Sequence, residues 1–353
     1  MGRIIRWSFL ILLIAAGSWG YFFLQAAGVF LMLEPKVVGV CKAVTGGGIV
    51  GVEDLTIDPE TKLAYLSGYD RRAGGTKRGA IWAYDLNASN AQPIDLTAAA
   101  LPEGFLPHGI SIFRGPDGRK TLFVINHANK KQAIEIFDVA GATLTHRRTV
   151  TGPELVSPND IVGVGADAFY VTNDHANTSG LMRTAEDYLR LPLSSVKFFD
   201  GRNFSEALTG LGGSNGINVS ADGHSLYVSA ASERTVYVYD RDPQTNLLSK
   251  RAAVAVPGFA DNIEVLRNGD LLLGLHSRIL ELLAHMRDAS KPSPSHIMHL
   301  KPDGKGSFVP ETVYYNLGDE ISGVSVGASA DKRLLIGAIF EPKFLDCTWD
   351  GAP

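Results

Sequence analysis

The chain has 353 residues, a formal net charge of −4, 38 glycines and two cysteines. Its near balance of charge leaves no basic stripe, which argues against a nucleic-acid partner. No low-complexity linker interrupts residues 36–353. A chain this long ordinarily divides into two or three domains, but an internal repeat argues for one closed body.

Residues 1–35 differ in kind from the rest. Arg3 and Arg6 are followed by no charged residue until Glu34, and Trp7 to Leu33 is almost wholly apolar. Such a stretch can span a bilayer as one helix. It exceeds the apolar core of a cleaved signal peptide, and apolar sequence continues past Ala15-Ala16-Gly17. The expectation is an uncleaved signal anchor over residues 1–35, with Arg3 and Arg6 cytoplasmic. Residues 36–353 would then lie outside the cytoplasm, in a periplasm, a lumen or the extracellular space; cleavage would make the protein secreted.

From residue 53 a short phrase recurs six times. The copies are Glu53-Asp54-Leu55-Thr56-Ile57, His108-Gly109-Ile110-Ser111-Ile112, Asn159-Asp160-Ile161-Val162-Gly163, Asn215-Gly216-Ile217-Asn218-Val219, Asp261-Asn262-Ile263-Glu264-Val265 and Ser322-Gly323-Val324-Ser325-Val326. Their second residues are 46 to 61 positions apart. Each phrase alternates as a strand does, and turn residues follow before a second alternating run, as in Ser220-Ala221-Asp222-Gly223 before Leu226 and Val228. A β-patterned period near fifty predicts an all-β, six-bladed β-propeller. Helical periodicity is nearly absent after residue 35, the exception being an amphipathic stretch from Arg183 to Arg190 placed to cover one end of the channel.

Cys41 and Cys347 stand at the two ends of the repeat. Ring closure brings such ends into one blade, so a disulfide would clasp it in an exported protein. Two buried free thiols are the alternative.

In a propeller the inner-strand starts converge on the central channel. Glu53, Asn159, Asn215, Asp261 and Asn262 begin or nearly begin such strands. They offer oxygen donors without a thiol, which selects calcium over zinc or copper. Asp54 and Asp160, one residue on, can hold a second, deeper ion with a backbone carbonyl near Ile110. His108 opens the second phrase and His127 ends the paired strand, so their rings can meet. His is suited to general-base work because its ordinary pKa is near neutrality. Asp174, in Asn173-Asp174-His175, can orient His127 or His175, and His276 occupies a similar strand end. His285, His296 and His299 lie near Lys291-Pro292-Ser293-Pro294 and read as a surface loop rather than a metal cluster.

From about Cys41 to Cys347 the chain resembles the paraoxonase/arylesterase family of calcium-dependent lactonases, part of a wider gluconolactonase-like superfamily. The likeness rests on Glu53-Asp54-Leu55, Pro107-His108-Gly109-Ile110-Ser111, Asn126-His127, Asn159-Asp160-Ile161-Val162, Thr172-Asn173-Asp174-His175, Asn215-Gly216-Ile217-Asn218 and Asp261-Asn262-Ile263. The resemblance implies a catalytic calcium on Glu53, Asn159, Asn215, Asp261 and Asn262. It implies a structural calcium on Asp54, Asp160 and the carbonyl of Ile110, and a His108–His127 dyad. The implied activity is hydrolysis of lactones and aryl esters, with organophosphate triesters as a side activity. His108 would take a proton from an attacking water and His127 relay it; alternatively Glu53 or Asp261 assists the water.

One segment departs from the family. Gly68 to Arg78 reads Gly-Tyr-Asp-Arg-Arg-Ala-Gly-Gly-Thr-Lys-Arg, where animal paraoxonases carry a different flap over the substrate. It favours an anionic or polar substrate, or is a solvated loop. Two other functions are compatible with a propeller. One is a gluconolactonase-like or strictosidine-synthase-like enzyme with a different substrate. The other is a binding module in which calcium only pins the ring.

Overall fold

The computed structural model of the protein describes residues 2–99, 101, 104–128 and 131–351. Among them, six four-stranded antiparallel sheets form the blades of a propeller. The innermost strands are β2 (Val52–Asp58), β6 (Pro107–Arg114), β10 (Pro158–Gly163), β14 (Ser214–Val219), β18 (Phe259–Val265) and β22 (Val324–Ala330). Each pairs with the strand that follows it: β3 (Leu63–Gly68), β7 (Lys120–Asn126), β11 (Phe169–Asn173), β15 (Ser225–Ala230), β19 (Leu271–His276) and β23 (Arg333–Ala338).

The last blade is completed from the other end of the chain. β1 (Cys41–Val44) pairs with β24 (Phe344–Thr348), with Cys41 directly opposite Cys347. The two are joined by a disulfide that closes a sequence separation of 306. Constraining so long a loop in the unfolded chain contributes on the order of 5 kcal/mol in the chain-entropy picture.

The apolar core is a ring of six clusters, each shared by neighbouring blades. One joins Leu55, Leu66 and Trp82 of the first blade to Val326, Leu335 and Phe344 of the last. Another joins Leu122, Val124 and Phe137 to Tyr65 and Ile81. A blade removed from the ring would expose both faces to water, which is why the repeats share one body.

Helices interrupt the strands at one end of the ring. α1 (Gly2–Ala26), α2 (Gly180–Leu189) and α3 (Ile279–Arg287) are the α-helices among the described residues. Within α1, Ile5–Ala26 has mean hydropathy 1.7 and is long and apolar enough to cross a membrane, a test that a signal sequence also passes. Its end meets the propeller where Phe23 stacks on Tyr188 at 6.2 Å and the Ile279 N–H donates to the Ala27 carbonyl at 3.2 Å. The expected helix from Arg183 is present as α2. α3 was not anticipated, because the apolar run Ile279-Leu280-Glu281-Leu282-Leu283 has no clean period to tell helix from strand.

Candidate active site

Every inner strand carries an irregularity near its start, where residues of the recurring phrase lie. Between Pro107 and Ile110, His108 and Gly109 stand opposite the single residue Ile125. In the same way Asn159-Asp160 oppose Thr172, Asn215-Gly216 oppose Ser229, and Asp261-Asn262 oppose Gly274. Glu53 and Ser325 are the extra residues in β2 and β22. A bulge breaks the strict in/out alternation and re-aims side chains. Consecutive residues such as Asp261 and Asn262 thereby both take part in channel contacts. The glycines serve the same geometry: a Cβ on Gly109 would sit 2.5 Å from the Asp160 Cα, and one on Gly216 would sit 2.3 Å from the Asp261 carbonyl oxygen.

Two tiers result. In the upper tier, Asn262 Nδ2 donates to the Glu53 carbonyl at 2.9 Å and to Glu53 Oε1 at 3.1 Å. Ser325 Oγ donates to the same Glu53 carbonyl at 2.5 Å. His276 Nε2 lies 2.6 Å from Asp261 Oδ2. Four oxygens there are buried without any hydrogen-bond partner: Glu53 Oε2, Asn159 Oδ1, Asn215 Oδ1 and Asn262 Oδ1. In the lower tier, both carboxylates are satisfied by backbone. Asp54 accepts from the Leu55 N–H at 2.9 Å and the Ile110 N–H at 2.7 Å. Asp160 accepts from the Ile161 and Ile217 N–H groups, each at 2.7 Å. Ile110 thus meets Asp54 through its amide, and each aspartate ties its own blade to the next.

This crowding sets the electrostatics. Burial pushes Asp54 well above the ordinary carboxylate range, and Glu53's charge adds to it. Burial does the same to Asp160, with Asp54 adding. Asp261 is raised by burial, with His276 opposing and Glu53 reinforcing. Burial works against ionisation of Glu53 too, but His108, Arg71 and Asn262 outweigh it and hold its pKa at about 2.

His108 Nδ1 and His127 Nε2 are 2.7 Å apart. His127 Nδ1 contacts Gln132 Oε1, an acceptor, so Nδ1 carries the proton and Nε2 the lone pair. His108 therefore donates from Nδ1, and its Nε2 lies 3.4 Å from Glu53 Oε2, where it donates to that carboxylate when the ring is charged and offers a lone pair when it is neutral. Burial, reinforced by His108's charge, lowers the His127 ring to about 4. The dyad is anchored by backbone: the His127 N–H donates to the Leu106 carbonyl at 3.0 Å, and Ser67 Oγ donates to the His108 carbonyl at 2.5 Å.

A family profile described as Arylesterase matches residues 50–348. The chain belongs to the arylesterase family. Among the relatives of this arylesterase-family protein, serum paraoxonase/arylesterase 2 of Bos taurus is 31% identical over 300 residues, 82% of this chain and 84% of that protein. Serum paraoxonase/lactonase 3 of Homo sapiens is 31% identical over 307 residues, 84% of this chain and 85% of that one. Solved structures share the fold at lower identity. A luciferin-regenerating enzyme superposes with TM-score 0.56 at 14% identity, covering 89% of this chain and 97% of its own. Regucalcin, a calcium-binding protein of Agrobacterium tumefaciens, does so with TM-score 0.54 at 13% identity, covering 91% and 99%.

Several expectations need correcting within this arylesterase-family ring. The sixth blade contributes Ser325; Ser322 lies outside β22, and its hydroxyl bonds the Gly318 carbonyl at 2.8 Å. Of the two partners expected for Asp174, His175 is the one it meets, at 2.8 Å, beside the Ser157 hydroxyl, and Gln132 holds His127. His285, His296 and His299 are buried, not on a surface loop. His285 lies on α3, and the other two are in a strand, Ser295–Pro302. His296 bonds Ser277 and Thr312, and His299 contacts Asp270 at 2.6 Å. Gly68–Arg78 is not wholly solvated, since Arg71 reaches within 3.9 Å of Glu53. A cavity of about 650 Å³ lies at the other end of the channel, lined by Thr56, Ser111, Asn218 and Glu264, away from the dyad. Arg71, Gln132 and Ser325 were not read from the sequence as site residues. His276 was placed there only as a strand end, and its position opposite Phe259 at the close of β19 was the available signal.

Proposed function

We propose that this protein hydrolyses lactones and aryl esters at the upper tier, with calcium held by Glu53, Asn159, Asn215, Asp261 and Asn262. The observation that carries the reading is the set of four unpartnered buried oxygens on these residues beside the His108–His127 pair. Leaving such groups unsatisfied costs about 1–3 kcal/mol each, which a hard cation offsets. Carboxylate and amide oxygens are the donors calcium takes. Among the described residues no three His, Cys, Asp or Glu side chains form a metal cluster, so the site depends on its asparagines. A second calcium is assigned to Asp54, Asp160 and the Ile110 carbonyl, as a pin for the ring.

When bound at the upper tier, calcium supplies a Lewis acid for the developing oxyanion. The protein's own groups manage the proton. His108 Nε2 takes it from the attacking water as the water oxygen bonds to the carbonyl carbon. The same nitrogen returns it to the leaving oxygen as the ester C–O bond breaks. Throughout, His127 accepts from His108 Nδ1 and fixes the ring. A relay through His127 is disfavoured, because its outer nitrogen faces Gln132, which accepts a hydrogen bond but no proton. The apolar helix α1 is assigned as the membrane anchor, with the propeller outside the cytoplasm.

The test is turnover of a panel by the purified full chain in detergent, with calcium and with excess chelator. The panel spans short- and long-chain acyl-homoserine lactones, δ-lactones and phenyl acetate. Calcium-dependent hydrolysis is expected. No turnover of any member by a folded, calcium-loaded protein would sink the reading. Full turnover in His108→Gln alongside loss in Glu53→Gln would remove His108 as the base.

A further inference from the structure

The segment Gly68–Arg78 carries four cationic side chains, and three have hydrogen-bond partners within the protein or lie open to solvent. Lys77 pairs with Asp70 at 3.0 Å, and Arg78 bonds Asp95, Thr97 and the Gly79 carbonyl. Arg72 donates to the Phe340 carbonyl at 3.0 Å and the His285 carbonyl at 2.7 Å, and lies over the Phe340 ring at 4.9 Å. Arg71 is different. Its Nη1 donates to the Gly51 carbonyl at 3.2 Å and its guanidinium stacks on Tyr69 at 4.4 Å. Its Nη2 is buried without a hydrogen-bond partner. The nearest carboxylate oxygen, Glu53 Oε2, is 3.9 Å away, beyond hydrogen-bond reach. The side chain is only 13% exposed, so water cannot easily stand in.

The backbone fixes this placement. The Asp70 side chain accepts from the Ala73 N–H at 3.1 Å, capping the turn Arg71–Ala73. With one edge held by Gly51 and one face by Tyr69, the guanidinium presents its remaining N–H groups beside Glu53. Glu53 Oε2 is itself assigned to the cation, so Nη2 requires an acceptor from outside the protein. A planar carboxylate matches a guanidinium edge.

We propose that Arg71 binds a carboxylate carried by the substrate, making the preferred substrates lactones or esters with an anionic substituent close to the reacting carbonyl. This rests on the hydrolase reading above. A hydrogen bond to a charged group is expected to give about a 10- to 100-fold preference.

The test compares a carboxylated lactone with its neutral carboxamide counterpart on the calcium-loaded full chain. The ratio of kcat/KM values is expected to favour the carboxylate in the natural sequence. Arg71→Gln should lower that ratio by about 10- to 100-fold, and Arg71→Lys should restore part of it. Calorimetric binding of the matching lactam carboxylate and lactam amide, which do not turn over, should show the same order. A ratio at or below one in the natural sequence, or one unmoved in a folded Arg71→Gln, overturns the role of Arg71 and leaves the hydrolase reading intact. If neither lactone is hydrolysed, the hydrolase reading fails, and the lactam pair decides Arg71 alone: equal binding overturns it, and an Arg71-dependent preference supports it.

Discussion

The two tiers of the channel are built from the same bulges yet treat their polar atoms oppositely. Asn159 and Asp160 are neighbours in one bulge. The oxygen of the first is buried and unpartnered, while both oxygens of the second accept backbone amides at 2.7 Å. Glu53 and Asp54 repeat the contrast. The lower carboxylates are already part of the ring's hydrogen bonding, so they belong to stability. The upper oxygens are held in place by strand and hairpin but left incomplete, which suits groups reserved for a ligand. One local irregularity thus divides adjacent residues between hydrogen-bonded framework and unpartnered oxygens.

The sharpest way to break this comparison is within one bulge. Asp160→Ala removes the acceptor for two buried N–H groups and is expected to lower unfolding free energy by about 2–6 kcal/mol in urea. Asn159→Ala should shift the urea midpoint far less; an equal loss would show that the tiers are not distinct. Activity should divide the other way. Asn159→Ala and Glu53→Gln are expected to reduce kcat/KM by about 100- to 1000-fold while the fold persists by circular dichroism. Near-normal turnover in both would place the chemistry elsewhere.

Calcium titrations sharpen the comparison further. At free calcium one hundred times its Kd, the calcium-free protein should gain about 2.7 kcal/mol for each site filled, read as a higher melting temperature, and Glu53→Gln should lose part of that gain. A melting curve indifferent to calcium would remove the cation from both tiers.

The smallest effect lies outside the channel, where His175 contacts Asp174 and Asp187 at 2.8 and 2.9 Å. Burial alone would lower the His175 pKa, but the two aspartates raise it above its ordinary value of 6.5. A raised folded-state pKa contributes stability that is full below the unfolded value and lost as pH rises through the folded one. The stability difference between the natural sequence and His175→Gln should therefore be about 0.5–1 kcal/mol near pH 5.5 and fade by pH 9. A difference that grows with pH would contradict the charged pairing.

Much of this site was legible because propeller repeats are regular. Polar residues at a fifty-residue period mark the channel, and terminal cysteines in a closed ring meet in one blade. The reading weakened wherever pairing departs from regularity. Strand alternation places Asp261 and Asn262 on opposite faces, and only the bulge opposite Gly274 explains how both take part in channel contacts. Ser325 was passed over for Ser322 because the sixth phrase was aligned by its glycine rather than by its bulge. His296 and His299 looked exposed beside prolines, although partners from Ser277, Thr312 and Asp270 make them buried members of a strand.

The sequence by itself determined the six-bladed ring, the apolar N-terminal helix, the family and the oxygen-rich character of the channel. The family rests on the resemblance of its motifs; the others follow from periodicity, composition and residue type along the chain. Tertiary structure alone decided which oxygens remain unpartnered, that His127 faces Gln132, that His276 meets Asp261, and that Arg71 turns inward to Glu53. Those outcomes depend on bulge geometry and on contacts between segments far apart in sequence, such as Arg72 with His285 and Phe340, which no local pattern encodes.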